Sequence, residues 1–307
     1  MPPEIDAIPL EFSMIIPVYN DWEALGGCLR SLGQQTRNRG FEVVVVDDGS
    51  QIPAPESIRQ FSSCFPLTII RQPHTGIAAA RNFGVQNSKG ATLVFTDADC
   101  RLDVGCLSFL EETISGSPQH NYFQLRLGGD SCNLLGRAEE LRLLAIQNQL
   151  LRPDGHIRYL NTSGFAIRRS AIKAGTLLFD PTVQRSEDTL LLTNLIQNGE
   201  LPFFAADAVV RHTIHLSFNQ CIGKDLRVAW LDAKTYERIA ATGVNVRMNN
   251  RERMSMLRYI WNASRRPSIG RVAWFALVFR QALQRATSTV YRCLRFRSRT
   301  QLFADPP

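Results

Sequence analysis

Several signals are scarce or missing in this 307-residue chain. Its seven cysteines form no CxxC pair and show no zinc-site spacing. Scattered and odd in number, they read as free thiols in a reducing compartment. No apolar run reaches the roughly 18 residues that a membrane span needs. The longest, Val272 to Phe279, is bracketed by Arg271 and Arg280. Met1 to Leu10 carries three prolines and two acids, so no secretory leader is expected. No Gly-x-Gly-x-x-Gly follows the first apolar stretch, which disfavours a dinucleotide-binding dehydrogenase. There is no internal repeat and no low-complexity segment. Acids are absent between Arg265 and Thr300, where nine arginines fall. Those nine exceed the net charge of +7, so the rest of the chain is slightly acidic. At 44% apolar and 21% charged residues, disorder is not a useful hypothesis.

What is present is a regular alternation of strand and helix. Phe12–Val18 reads as a strand, followed by a turn at Tyr19-Asn20-Asp21 and a helix carrying Trp22, Leu25, Leu29 and Leu32 at helical spacing. Phe41–Val46 shows too little alternation for an exposed face and reads as buried on both sides, as in a parallel sheet. Leu67–Ile70 is a third strand, Gly76–Asn87 an alanine-rich helix, and Leu93–Thr96 a fourth strand. Four such units predict a doubly wound, mostly parallel α/β sheet flanked by helices. Polar groups fall repeatedly at strand ends: Tyr19 and Asn20, then Asp47 and Asp48, then Asp97 and Asp99. In such sheets ligands bind at that edge. Two carboxylates separated by one residue, Asp97-Ala98-Asp99, repel each other unless a cation lies between them. Hard ions such as Mn²⁺ or Mg²⁺ take carboxylate oxygens and leave positions for phosphate.

Four segments in order then carry a family resemblance: Ile15-Ile16-Pro17-Val18-Tyr19-Asn20, Val45-Val46-Asp47-Asp48-Gly49-Ser50, Gly76 to Gly84, and Thr96-Asp97-Ala98-Asp99. With Asn161 to Arg169 and Ser186-Glu187-Asp188-Thr189-Leu190, they resemble the family 2 glycosyltransferases of GT-A fold over about three quarters of the chain. The resemblance implies an inverting, metal-dependent transfer of sugar from a nucleotide-diphospho-sugar, a UDP-sugar if Asp48 reads the base, in cell-surface glycan or polysaccharide synthesis. It implies donor contacts at Pro17, Tyr19, Asp48, Arg81 and Asp97, and a Mn²⁺ or Mg²⁺ site at Asp97, Asp99 and His212, with His215 the weaker histidine. Arg81 could hold phosphate or pair with sheet-edge acids. Asp188 is the implied base for the acceptor hydroxyl, supported by Glu187. One base suffices when a diphosphate leaves, unlike the acid pair of a glycosidase. Gly164 is the implied close approach for acceptor or donor sugar.

The expected division is a catalytic unit over 1–215, with donor half 1–100 and acceptor half 101–215, then a helical, arginine-rich extension over 216–307. In the extension, Phe218–Ile239 is expected to present Ile222, Leu226, Ala229 and Trp230 on one face. The acceptor could be a glycan, lipid-linked or a small molecule, and no nucleic-acid motif accompanies the basic tail. That tail has the composition of a helix on an anionic membrane surface; packing on the catalytic unit is the competing reading. A cytoplasmic protein follows, with peripheral contact at the inner membrane face left open. Two alternatives stand beside this: a degenerate nucleotide-binding relative without transfer, and a sugar-phosphate nucleotidyltransferase. The second usually has a Gly-rich, Arg-containing loop after its first strand, where this chain has Tyr19-Asn20-Asp21-Trp22.

Overall fold

The structure is a computed structural model and describes residues 11–35, 40–129, 133–213, 217–246, 248–267 and 270–302. The strands are β1 Phe12–Val18, β2 Phe41–Asp47, β3 Leu67–Arg71, β4 Thr92–Phe95, β5 Cys100–Leu102, β6 Tyr122–Gly129, β7 Phe165–Arg168 and β8 Phe203–His212. The helices are α1 Trp22–Gly33, α2 Glu56–Arg59, α3 Ile77–Gln86, α4 Cys106–Ser115, α5 Leu134–Leu150, α6 Glu187–Gln197, α7 Phe218–Ala241, α8 Asn250–Ala263 and α9 Arg271–Leu302. The strands form one eight-stranded sheet in the order β3-β2-β1-β4-β7-β6-β8-β5.

The first half follows its sequence pattern closely. β1 and β2 are buried at every residue, which is why their apolar runs show no alternation. β1 to β4 pair in parallel. The second half departs from a purely parallel sheet: β7 runs antiparallel to β4 and β6, while β8 pairs parallel with β6. Thr162–Gly164 is a short 3-10 turn ahead of β7. Asp21 caps α1, its carboxylate accepting from the Ala24 amide at 3.3 Å. On the other face of β1, Gly84 of α3 lets helix and sheet meet; a Cβ there would lie 2.5 Å from Ile15 Cγ2.

Two features of this sheet create the site. β4 pairs with β1 only as far as Ile15 and Phe95, with a last bond from the Thr96 amide to the Ile15 carbonyl. Pro17 lies beyond that pairing, so its missing N–H removes no bond to β4. Pro17–Tyr19 and Asp97–Asp99 thus separate at the carboxyl edge. Second, the three-residue strand β5, which the sequence pattern did not reveal, pairs antiparallel with β8 and sets Cys100 opposite His212.

The helical extension packs on the sheet unit. Ala273, Ala276 and Leu277 of α9 join Ala138, Leu141 and Ala145 of α5 and Ile260 and Ala263 of α8 in one apolar cluster. Arg280 makes a two-pronged ion pair with Asp225 of α7, at 2.6 and 2.9 Å. The expected apolar face of α7 needs correction. Leu226 and Trp230 are each 38% exposed, while Cys221, Asp225, Ala229 and Ala233 are buried. A buried carboxylate answered by an arginine some 55 positions away stands where an apolar stripe was expected.

Candidate active site at the carboxyl edge of the sheet

A cleft of about 710 Å³ opens where β1 and β4 part. Pro17 and Tyr19 line one side; Asp97, Asp99 and His212 another; Glu187 and Asp188 enter from the start of α6. α5, α7 and α9 close the far wall with Glu139, Arg142, Lys224, Asp225 and Arg280. Segments remote in sequence therefore bring most of the predicted residues together.

Arg81 links the two sides. Only 1% exposed, it donates to Asp97 Oδ1 at 2.7 Å and to Glu187 Oε1. The salt-bridge reading of Arg81 is the one observed: carboxylates hold both its terminal nitrogens, and it acts as a strut between the two sides of the cleft. The other oxygen of Asp97 accepts from the Ser163 hydroxyl at 2.6 Å.

Asp99 is held differently. The Thr213 amide and hydroxyl both donate to its carbonyl, at 2.9 and 2.6 Å. That anchors the end of β8 beside it, and His212 Nε2 stands 3.1 Å from Asp99 Oδ2. Burial disfavours the imidazolium, but the Asp99 carboxylate outweighs it and raises His212 above its ordinary value. Burial likewise disfavours the Asp99 anion, and His212 outweighs that and lowers it. Among the described residues His212 Nδ1 is buried without a hydrogen-bond partner, and the Asp99 contact orients the ring.

The donor set fits a hard divalent ion. Asp97, Asp99 and Cys100 place ligand atoms within 4.8 Å of one another, and His212 adds a nitrogen against Asp99. Cys100 is no ligand for such an ion: its thiol is buried in the core, and burial raises it well above its ordinary value. The carboxylates and imidazole that remain suit Mn²⁺ or Mg²⁺. His215 lies outside the described residues.

Asp188 is half-buried. Burial, then the adjacent Glu187 carboxylate, raises its value to about 7, against a lowering by Arg185. The residue before the pair, Ser186, has φ of 61°, a left-handed conformation that strains a non-glycine residue by about 1 kcal/mol. Its hydroxyl donates to Asp232 of α7 at 2.7 Å, which fixes the start of α6.

Two predicted residues face elsewhere. Asp48 is 4% exposed. Its Oδ1 accepts from Gln72 Nε2 at 2.7 Å and the Thr75 amide at 2.9 Å; its Oδ2 accepts from the Gly76 amide at 3.0 Å and lies 2.9 Å from His74 Nδ1. It organises the loop ahead of α3. At Gly164 a Cβ would lie 2.7 Å from Leu127 Cδ2 and 3.3 Å from Leu125 Cβ, so core packing by itself calls for glycine there.

Sequence reasoning missed His74, whose ring stacks on Tyr19 with centroids 4.2 Å apart and planes at 21°. It also missed Ser163, Asp232 and the Glu139–Arg142 pair. Burial disfavours the Glu139 anion, but Arg142 outweighs it and lowers Glu139 to about 2. A Glu-x-x-Arg step on α5 was the available signal for that pair.

The sequence matches the profile described as "Glycosyl transferase family 2" over residues 13–176, more than half of the chain. The chain belongs to glycosyl transferase family 2. Curated relatives include Glycosyltransferase AglE of Haloferax volcanii, 42% identical over 108 residues that cover 34% of this chain and 36% of that protein. The Minor teichoic acid biosynthesis protein GgaA of Bacillus subtilis is 26% identical over 199 residues, covering 60% of this chain and 43% of that one. The chain thus spans less than half the length of these relatives. Among solved structures, S. aureus TarS in complex with UDP-GlcNAc aligns with a TM-score of 0.56 at 15% identity, covering 93% of this chain and 91% of that one. Mannosyltransferase PcManGT from Pyrobaculum calidifontis, in complex with GDP-Man and Mn2+, aligns with a TM-score of 0.57 at 16% identity, covering 97% and 82%. These two likenesses establish the GT-A fold.

Proposed function

We infer that this family member is an inverting glycosyltransferase that moves sugar from a nucleotide-diphospho-sugar to an acceptor hydroxyl. One observation carries the reading: the Asp97/Asp99 and Glu187/Asp188 pairs, some ninety positions apart, converge on one cleft and are tied by Arg81. Asp97, Asp99 and His212 would hold Mn²⁺ or Mg²⁺. Such an ion, when bound, supplies positive charge to a leaving diphosphate.

The chain's own residues account for the rest. Asp188 takes the proton of the acceptor hydroxyl as its oxygen bonds to the anomeric carbon and the bond to the diphosphate breaks. A carboxylate raised to about 7 is basic enough for that task and becomes fully ionised as pH rises above about 7. Glu187, fixed by Arg81, keeps Asp188 basic by like-charge repulsion. Tyr19 and His74 offer aromatic faces to the nucleotide base, and Pro17 borders the same wall. UDP is the first nucleotide to test, because TarS carries UDP-GlcNAc; GDP is the comparison, because PcManGT carries GDP-Man.

Peripheral membrane contact belongs to this reading as well. Among the described residues no helix is long and apolar enough to cross a membrane. α9 leaves Val272, Phe275 and Phe279 51–63% exposed beside Arg271. Full-length protein should sediment with phosphatidylglycerol vesicles and lose this with Phe275→Glu/Phe279→Glu.

The deciding experiment is calorimetry with UDP and with GDP, each with and without Mn²⁺, on the wild type and on Asp99→Ala. Manganese-dependent binding of one nucleotide, lost in the variant, is expected. Binding of neither nucleotide, with or without metal, would leave the transfer reading without its donor.

A further inference from the structure

Beyond Asp232 a second cavity, of about 480 Å³, lies between α7, α8 and α9. It adjoins the catalytic cleft, and the two share Asp232, Gln281 and Gln284 as wall residues. Arg253 of α8 and Arg285 of α9 line it, with Ser288 and Thr289. The Arg253 Nε donates to the Met248 carbonyl at 3.0 Å. Among the described residues neither Arg253 nor Arg285 is in an ion pair, whereas Arg142, Arg158 and Arg280 nearby each face a carboxylate. The one acid of the wall, Asp232, meets the Ser186 hydroxyl at 2.7 Å and Arg185 at 3.4 Å through a single oxygen, Oδ1. The cavity is therefore a polar space in which two guanidinium groups outside any ion pair among the described residues face one carboxylate, reached from the catalytic carboxylates past Asp232.

We propose that this cavity is a subsite for a phosphate group of the acceptor. The proposal rests on the transfer reading above and adds the chemical class of the acceptor. An acceptor whose reacting hydroxyl lies at Asp188 extends along the wall past Ser186 and Asp232, and its next units arrive between Arg253 and Arg285. A guanidinium binds oxyanions through a planar fork of donors. One fork satisfies a planar carboxylate. Two forks from separate helices suit a tetrahedral anion with more than one charged oxygen. The phosphate could belong to a lipid carrier or to a polyol phosphate within the acceptor chain, and two probes separate these sources.

The test is calorimetry on the full chain with saturating UDP and Mn²⁺, titrating glycerol 3-phosphate, geranyl phosphate and, as neutral control, glycerol. The comparison variants are Arg253→Gln/Arg285→Gln and the charge reversal Arg253→Glu/Arg285→Glu. Both arginines are on the surface, so these variants should fold. The expected result is that at least one phosphate binds the wild type, glycerol does not, and affinity falls at least tenfold in both variants while UDP binding is unchanged. Tighter geranyl phosphate would assign a lipid carrier; tighter glycerol 3-phosphate would assign a polyol phosphate. Binding of neither phosphate, or equal binding by wild type and variants, would overturn the subsite. Failure of the donor reading is seen separately, as absence of UDP binding by the wild type.

Discussion

Arg81 Nη2 lies 2.7 Å from Asp97 Oδ1, and the same guanidinium reaches Glu187 with its other terminal nitrogen. Its charge answers carboxylates from both halves of the cleft. Removing one partner of a buried ion pair leaves uncompensated charge, which costs about 3–5 kcal/mol. Arg81→Ala should lower unfolding free energy by about that amount in urea melts. Arg81→Lys should recover only part of it, because a single ammonium cannot fork to two carboxylates. A loss below about 1 kcal/mol in Arg81→Ala would show that the strut does not hold the site together.

Asp188 should set both the pH profile and a stability cost. As the base it must be ionised, so transfer should rise with pH through about 7 and level off above. Its value in the folded chain lies above the ordinary carboxylate value of about 4. The folded state therefore binds the proton more tightly than the unfolded state, and stability falls as pH rises from about 4 to about 7. Asp188→Asn removes that penalty. At pH 8 the variant should be more stable, on the order of 2 kcal/mol after allowance for partial solvent exposure. At pH 4 it should gain nothing, and transfer should be lost at both. Thermal melts at the two pH values separate this from a general packing gain, which would appear at both.

Much of the donor half was legible because each signal is local. β1 and β2 are mostly apolar strands buried at every residue, and Asp47, Asp48, Asp97 and Asp99 fall at or just beyond strand ends. Glu187-Asp188 was legible through its place in the family resemblance. What escaped depends on distance. Nothing around Arg81 reveals that Glu187, 106 positions later, meets it. The three-residue β5 is too short for periodicity, yet it brings His212 to Asp99. Asp48 shows the converse. Its place in the motif suggested a ligand contact, whereas its oxygens meet groups from Gln72 to Gly76, which the motif alone does not reveal.

Gly164 tests whether packing or ligand approach demands glycine. Its missing Cβ would sit 2.7 Å from Leu127 Cδ2. Gly164→Ala should destabilise the fold by about 1–3 kcal/mol through overpacking. Nucleotide affinity at a temperature well below the melt should stay within twofold of wild type. An alanine variant of unchanged stability with a raised acceptor KM would restore the acceptor contact.

Tyr19 is 45% exposed and stacks on His74, itself on the loop that Asp48 organises. An exposed aromatic ring at a strand end adds little to folding, so Tyr19→Ala should change stability by no more than about 0.5 kcal/mol. If a nucleotide base uses this ring, the loss appears in binding. Base–aromatic stacking contributes about 1–3 kcal/mol by alanine substitution, so nucleotide affinity should fall about tenfold or more. Tyr19→Phe keeps the ring and should bind within about twofold of wild type, since stacking needs the face and not the hydroxyl. His74→Ala should act in the same direction but more weakly, because it leaves the Tyr19 face in place. Equal losses in the Phe and Ala variants would instead assign the hydroxyl, and a polar contact to the nucleotide would replace stacking as the role of Tyr19.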